Sequence, residues 1–308
     1  MTDYQPVDAP TSPAPVDRGT REAPGGGAGD KPSLWYRLRT MNGRLLFGSI
    51  LVIFIAVLAI FAPFFATHDP LSVDMPNRLA PPSADNWFGT DANGRDVYSR
   101  IVHGSRVSLS VGAAVVILST VFGTFIGLVS GFYRWLDGIL MRIMDALMAF
   151  PAILLAIAII AALGASARNV VIALTATYTP RTARVVRGKV LSVREEMYVE
   201  SARAIGLRNP RIIARYIFPN VLAPLMVQAT FILALAIIAE AGLSYIGAGT
   251  PPPAPSWGNI LADGRAFLAN GPWMTTFPGI FIMISVLGLN IMGDGIRDVL
   301  DPRLKDNR

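Results

Sequence analysis

Twenty-two consecutive residues, Leu45 to Ala66, carry no charge, and further apolar runs recur as far as Gly293. At about 1.5 Å per residue the first run covers about 33 Å, enough to cross about 30 Å of hydrocarbon. Lipid offers no partner to backbone amides, so a chain that repeats this pattern must pair them within helices. Composition agrees: 16% of the 308 residues are charged, against about 25% in soluble domains. The expectation is an all-α polytopic membrane protein. A sequence pI near 9.9 raises the question of nucleic acid, but the basic residues cluster beside apolar spans, which favours topology over phosphate binding, and no nucleic-acid partner is expected. Cys is absent, so disulfides and thiolate metal sites are excluded.

Taken in order, residues 1–36 read as a disordered cytoplasmic tail, rich in Pro, Gly, Asp and Ala. Its Gly29-Asp30-Lys31-Pro32-Ser33 lacks the Gly-Lys-Ser/Thr of a phosphate loop, so no nucleotide site is expected on this chain. Residues 37–66 form the first anchor, preceded by Arg37, Arg39 and Arg44, and residues 67–106 an external polar segment with five Asp and four Arg. There Asp96 and Arg100 are spaced for an i,i+4 ion pair. Residues 107–308 hold five more spans, near Val107–Gly131, Ile139–Leu163, Asn169–Pro180, Asn220–Gly247 and up to Gly293. Gly123, Gly127 and Gly131 place a smooth stripe on the second span, suited to close helix packing.

Between the fourth and fifth spans lies the most charged passage, with nine basic residues from Arg181 to Arg215 against Glu195, Glu196 and Glu200. That excess of six equals the formal charge of the chain and predicts a cytoplasmic loop. Its interior, residues 188–219, reads as a helix over Val193–Ile205 closed by Gly206. A second helix is capped by Asn209 and Pro210 and broken by Phe218, Pro219 and Asn220 before the next span. An ordinary basic loop resting on anionic headgroups is the bland alternative.

Glu200-Ser201-Ala202, three residues including Arg203 and Ala204, Gly206, nine residues, then Tyr216-Ile217-Phe218-Pro219 resembles the coupling motif of permease subunits in bacterial ATP-binding-cassette importers, E-A-A-x3-G-x9-I-x-L-P. Ser201, Tyr216 and Phe218 depart from it with residues that still pack. The Phe88–Arg100 segment, Leu243-Ser244-Tyr245-Ile246-Gly247, the prolines from Pro251 to Pro255 and Ser256-Trp257-Gly258-Asn259 are similar to the C-type permeases of dipeptide and oligopeptide importers. The resemblance implies a type I ABC importer permease fold with six transmembrane helices, both termini cytoplasmic, in a bacterial plasma membrane. It implies a homologous permease partner, two cytosolic ATPases that carry ATP and Mg, and an external substrate-binding protein. The chain itself would be non-catalytic and bind no cofactor. Nickel chelates or other small solutes are the alternative cargo.

Two acids are candidates for the pathway or its gate. Asp145 begins the third span and either serves there or pairs with Arg142; Glu240 lies near the outer end of the fifth and is either functional or structurally paired. A secondary carrier would need ionisable residues at mid-membrane or broken-helix binding sites and no ATPase partner; the acids here lie near the interfaces, which argues against it. A membrane hydrolase would need a nucleophile and base that two His and no Cys do not supply.

Overall fold

A computed structural model describes residues 43–300. The expected tail and the Asp301-Pro302-Arg303 end lie outside the described residues. Among these, the only β-pairing is a lone bridge between Thr90 and Asp96; the rest is helix and loop. In chain order come α1 (Gly43–Ile60), α2 (Val97–Phe132), α3 (Arg134–Met148), α4 (Ala152–Leu163), α5 (Ala167–Val193), α6 (Met197–Ala204), α7 (Phe218–Tyr245), α8 (Trp257–Gly264) and α9 (Trp273–Leu300).

Short polar side chains start three of them. Asp96, Ser166 and Ser256 sit in extended backbone and accept from the amides of Ser99, Asn169 and Asn259, at the heads of α2, α5 and α8. This places the start of α2 ten residues ahead of the expected Val107, so the polar segment supplies the first turns of the span. It also redirects the ion pair expected between Asp96 and Arg100. Asp96 accepts from the Ser99 amide at 2.7 Å, while Arg100 pairs with Asp91 and, at 3.0 Å, with Asp263 of α8.

The glycine stripe forms the tightest seam. A Cβ on Gly123, Gly127 or Gly131 would stand 2.5–2.6 Å from atoms of Thr182, Ala183, Val186 and Val190, so α2 and α5 pack backbone against side chain. Gly288 and Gly295 of α9 meet Leu51 and Leu45 of α1 in the same manner. Two apolar clusters fill the bundle, one around Val115, Leu174 and Ile232, the other around Ile101, Trp257 and Leu289.

Four helical segments are long and apolar enough to cross a membrane: α1, α2, α7 with its lead-in from Asn209, and α9. The expected third span is broken, with α3 and α4 meeting at 91° and making a fifth candidate if taken together. Phe150 precedes Pro151, and the proline ring pushes the residue before it out of helical backbone. The expected fourth span is the first half of α5, which runs on through Pro180 to Val193 and gains Arg181, Arg184, Arg187 and Lys189 in its second half. The structure thus gives four or five spans by length and composition.

Candidate functional site

The basic loop folds as a knob on the ends of α2, α5 and α7. Glu196 turns the chain out of α5 in extended backbone and α6 follows, four residues later than the Val193 expected because α5 continues that far. Gly206 closes α6 at φ +79°. The Gly206 amide donates to the Arg203 carbonyl at 2.9 Å and the Leu207 amide to that of Ala202 at 3.1 Å, the paired bonds of a Schellman closure.

One face of α6 is turned inward. Val199 and Ala202 are buried with Val186, Val190, Val193, Ile212 and Ile217. The outward face carries Glu200, Ser201, Ala204 and two large apolar side chains, Met197 at 81% and Ile205 at 77% exposure. Such side chains, on an eight-residue helix whose other face is anchored, form a convex surface suited to a groove on another molecule.

Cross-ties hold the mount. The Arg203 guanidinium lies 5.4 Å from the Phe132 ring at the end of α2, and Arg194 donates to the Gly131 carbonyl at 2.9 Å. The Asn220 amide reaches the Tyr198 hydroxyl at 3.3 Å, and the Tyr198 and Tyr216 rings stand 6.4 Å apart. Below the knob, Arg187 grips Asp137 of α3 at 2.5 and 2.6 Å.

Asn209 is the first helical residue, not the cap; Arg208 takes the cap position and Pro210 the first turn. Nor does the chain break at Phe218 to Asn220. Ile213–Ile217 form a π-helical turn, and the Phe218 amide donates to Ile213, five residues back. The slipped register delivers Pro219, which has no amide hydrogen, to the first turn of α7, where none is needed. Tyr216 and Phe218 are half-buried in this joint and Pro219 is exposed.

The two candidate acids lie apart from the knob's surface. Asp145 pairs with Arg184 of α5 at 2.7 Å rather than with Arg142, because α5 crosses α3 there and presents its arginines. Both partners are more than half exposed, so the pair contributes about 1 kcal/mol or less. Glu240 is fully buried. It accepts from Ser108 of α2 at 2.9 Å and from Ser244 at 2.8 Å. Those hydroxyls in turn receive the amides of Trp257, at the head of α8, and of Thr250. Glu240 thus joins Ser108 of α2 and Ser244 of α7, and through their hydroxyls the head of α8 and its leading loop, in one hydrogen-bonded group. Sequence reasoning missed Asp137 and Asp263, whose partners lie 50 and 163 residues away. The only available signal was that each sits near unmatched arginines in a mostly apolar chain.

The family described as the binding-protein-dependent transport system inner membrane component matches residues 119–306. That described as the N-terminal TM domain of oligopeptide transport permease C matches residues 34–82. A relative from Brucella suis named for a peptide transport system permease is 49% identical over 278 residues, covering 90% of this chain and 94% of its own. The dipeptide transport system permease DppC of Alkalihalophilus pseudofirmus is 44% identical over 297 residues, covering 96% and 95%. The oligopeptide permease OppC of Bacillus subtilis is 39% identical over 277 residues, covering 89% and 91%. Among solved structures, a chain of the inward-facing MetNI methionine ABC transporter superposes with TM-score 0.56 over 66% of this chain and 96% of its own, at 19% identity. The helical architecture of an importer permease and close relatives along nearly the whole length lead to one placement: the chain belongs to the family of inner-membrane components of binding-protein-dependent transport systems.

Proposed function

We propose that this chain is the permease subunit of an ATP-driven importer of di- or oligopeptides, and that the knob built on α6 is where it receives motion from a cytosolic ATPase. The observation that carries the coupling role is the division of α6. Val199 and Ala202 are locked into the ends of three long helices, while Met197, Glu200 and Ile205 stand free on the outer face. A partner that bound this face in two positions would move α5 and α7 through their mount, provided its affinity differs between the two. Peptide cargo is supported by the names of the relatives.

In this reading the first half of α5 is the sixth span, the knob and both termini face the cytoplasm as its positive charge favours, and α8 with the 67–96 segment faces outward. A homologous permease completes the pathway, two ATPases bind ATP and Mg, and an external binding protein delivers cargo.

Ile205→Cys offers the test, since the chain has no cysteine of its own. In the assembled complex this thiol should cross-link to a cysteine in the ATPase groove, with a yield that changes between nucleotide-free and ATP-bound states. No cross-link in either state overturns the coupling role.

A further inference from the structure

Beside the knob, where α5 and α9 diverge across α7, a cavity of about 790 Å³ is lined by Lys189, Asn220, Pro224, Gln228, Phe231 and Arg297. A second cavity, of about 500 Å³, shares Val185, Gln228 and Phe231 with it and adds Arg181 and Arg184. Together they form one groove along α7. Arg181 and Lys189 are eight residues apart, about 12 Å along α5, the length of three to four residues of extended chain.

The charges in this groove are unequal. Arg184 is answered by Asp145. Arg181, Lys189 and Arg297 are exposed and enter no ion pair among the described residues. The acids of α9 turn elsewhere, with Asp298 toward Arg44 and Asp294 into a separate cavity shared with Arg44. Pro224 has no amide hydrogen, so the Asn220 carbonyl lacks its i+4 helical donor, and both residues line the groove with the cations. Cations within a spanning helix are expensive unless they face water, and they mark the paths of charged cargo. Low-dielectric walls such as Val185, Val227 and Phe231 concentrate their field.

We propose that this groove is the subunit's wall of the inner half of the translocation path, and that Arg181, Lys189 and Arg297 draw in the free C-terminal carboxylate of the travelling peptide. The assignment rests on the peptide-importer reading above. A terminal carboxylate is the one anion common to unblocked peptides of any sequence. Three cations spaced along the groove hand it from one to the next, while the Asn220 carbonyl and the Gln228 amide meet peptide N–H and C=O groups. An acyl chain of a lipid would gain nothing from Arg181 at the end of the groove farther from the knob.

Gln228→Cys places a thiol at the wall common to both cavities. In the complete complex in lipid nanodiscs, the anionic sulfonatoethyl methanethiosulfonate should modify it faster than the cationic trimethylammonium analogue. The ratio should fall about tenfold in Arg181→Gln/Lys189→Gln/Arg297→Gln, and the single variants Lys189→Gln and Arg297→Gln should each lower it about twofold, which preserves the test if the triple variant fails to assemble. Uptake of a defined pool of di- to pentapeptides from the saturated binding protein should fall at least fivefold in the triple variant while stimulated ATP hydrolysis persists. A thiol reachable in detergent but not in nanodiscs, equal rates for both reagents, or unchanged uptake overturns the groove assignment. If the unsubstituted complex takes up no peptide from the pool, the peptide-importer reading itself falls.

Discussion

Arg187 of α5 holds both carboxylate oxygens of Asp137 of α3 along one edge of its guanidinium, Nε and Nη2 donating at 2.5 and 2.6 Å. Fifty residues separate them in the chain. The pair fixes the base of the knob to the broken helix pair, and it is more sheltered than the neighbouring Arg184–Asp145 contact.

Removing one partner leaves the other charge half-buried and unanswered. Asp137→Asn should therefore lower the stability of the purified complex by about 1.5–3 kcal/mol, whereas Asp145→Asn should cost about 1 kcal/mol or less. Thermal unfolding of the two variants side by side checks the order, and the exchange Asp137→Arg/Arg187→Asp should recover part of the loss.

Gly206 tests the knob's closure in isolation, because a Cβ there would meet nothing within 4 Å. The cost of Gly206→Ala is then purely conformational, about 1–2 kcal/mol for the left-handed backbone. Gly206→Asn should cost less than alanine, since asparagine tolerates that region, and Gly206→Val more. Amide exchange at Leu207, whose hydrogen bond to Ala202 depends on the turn, should quicken in the order Asn, Ala, Val, and ATP-dependent uptake should decline in the same order.

At Gly127 the opposite holds, for a Cβ would lie 2.6 Å from the Ala183 carbonyl and from Val186 Cβ. Backbone cannot give way as a flexible side chain does. Gly127→Val should destabilise the α2–α5 pair by about 1–3 kcal/mol or more. The second change Val186→Ala should restore only part of the folded yield, measured by size-exclusion recovery, because the carbonyl remains in the way.

Glu240 separates shape from hydrogen bonding. Glu240→Gln keeps an acceptor oxygen for one serine and offers the other hydroxyl an amide donor, so it should retain assembly, whereas Glu240→Leu leaves both Ser108 and Ser244 without a buried partner and should cost about 1–3 kcal/mol. Limited proteolysis in the Gly247–Pro255 loop should accelerate in the leucine variant alone.

The sequence was most legible where one local interaction decides the outcome. Apolar runs announced most spans, the glycine spacing announced a close-packing face on α2 though not its partner, and Gly206 announced the end of α6. It misled where an ionic partner could be chosen across space. Arg142 lies three residues from Asp145 and Asp96 four from Arg100, yet Arg184 and Asp91 take those roles, since proximity along the chain says nothing about which helices cross. The joint at Phe218 failed for a different reason. Phe-Pro-Asn reads as a stop, and only the slipped register of the π-helical turn lets the helix pass through it.

The seam along Gly123, Gly127 and Gly131 has a mechanical corollary. The glycines set the α2 backbone directly against Thr182, Val186 and Val190 of α5, β-branched side chains with few rotamers, so the seam leaves little room for sliding and the pair is stiff. Under the coupling role proposed above, such a stiff pair would carry a push from the knob as one body, and the bend at Ala149–Pro151, where α3 and α4 meet at 91°, is where the bundle would turn in response.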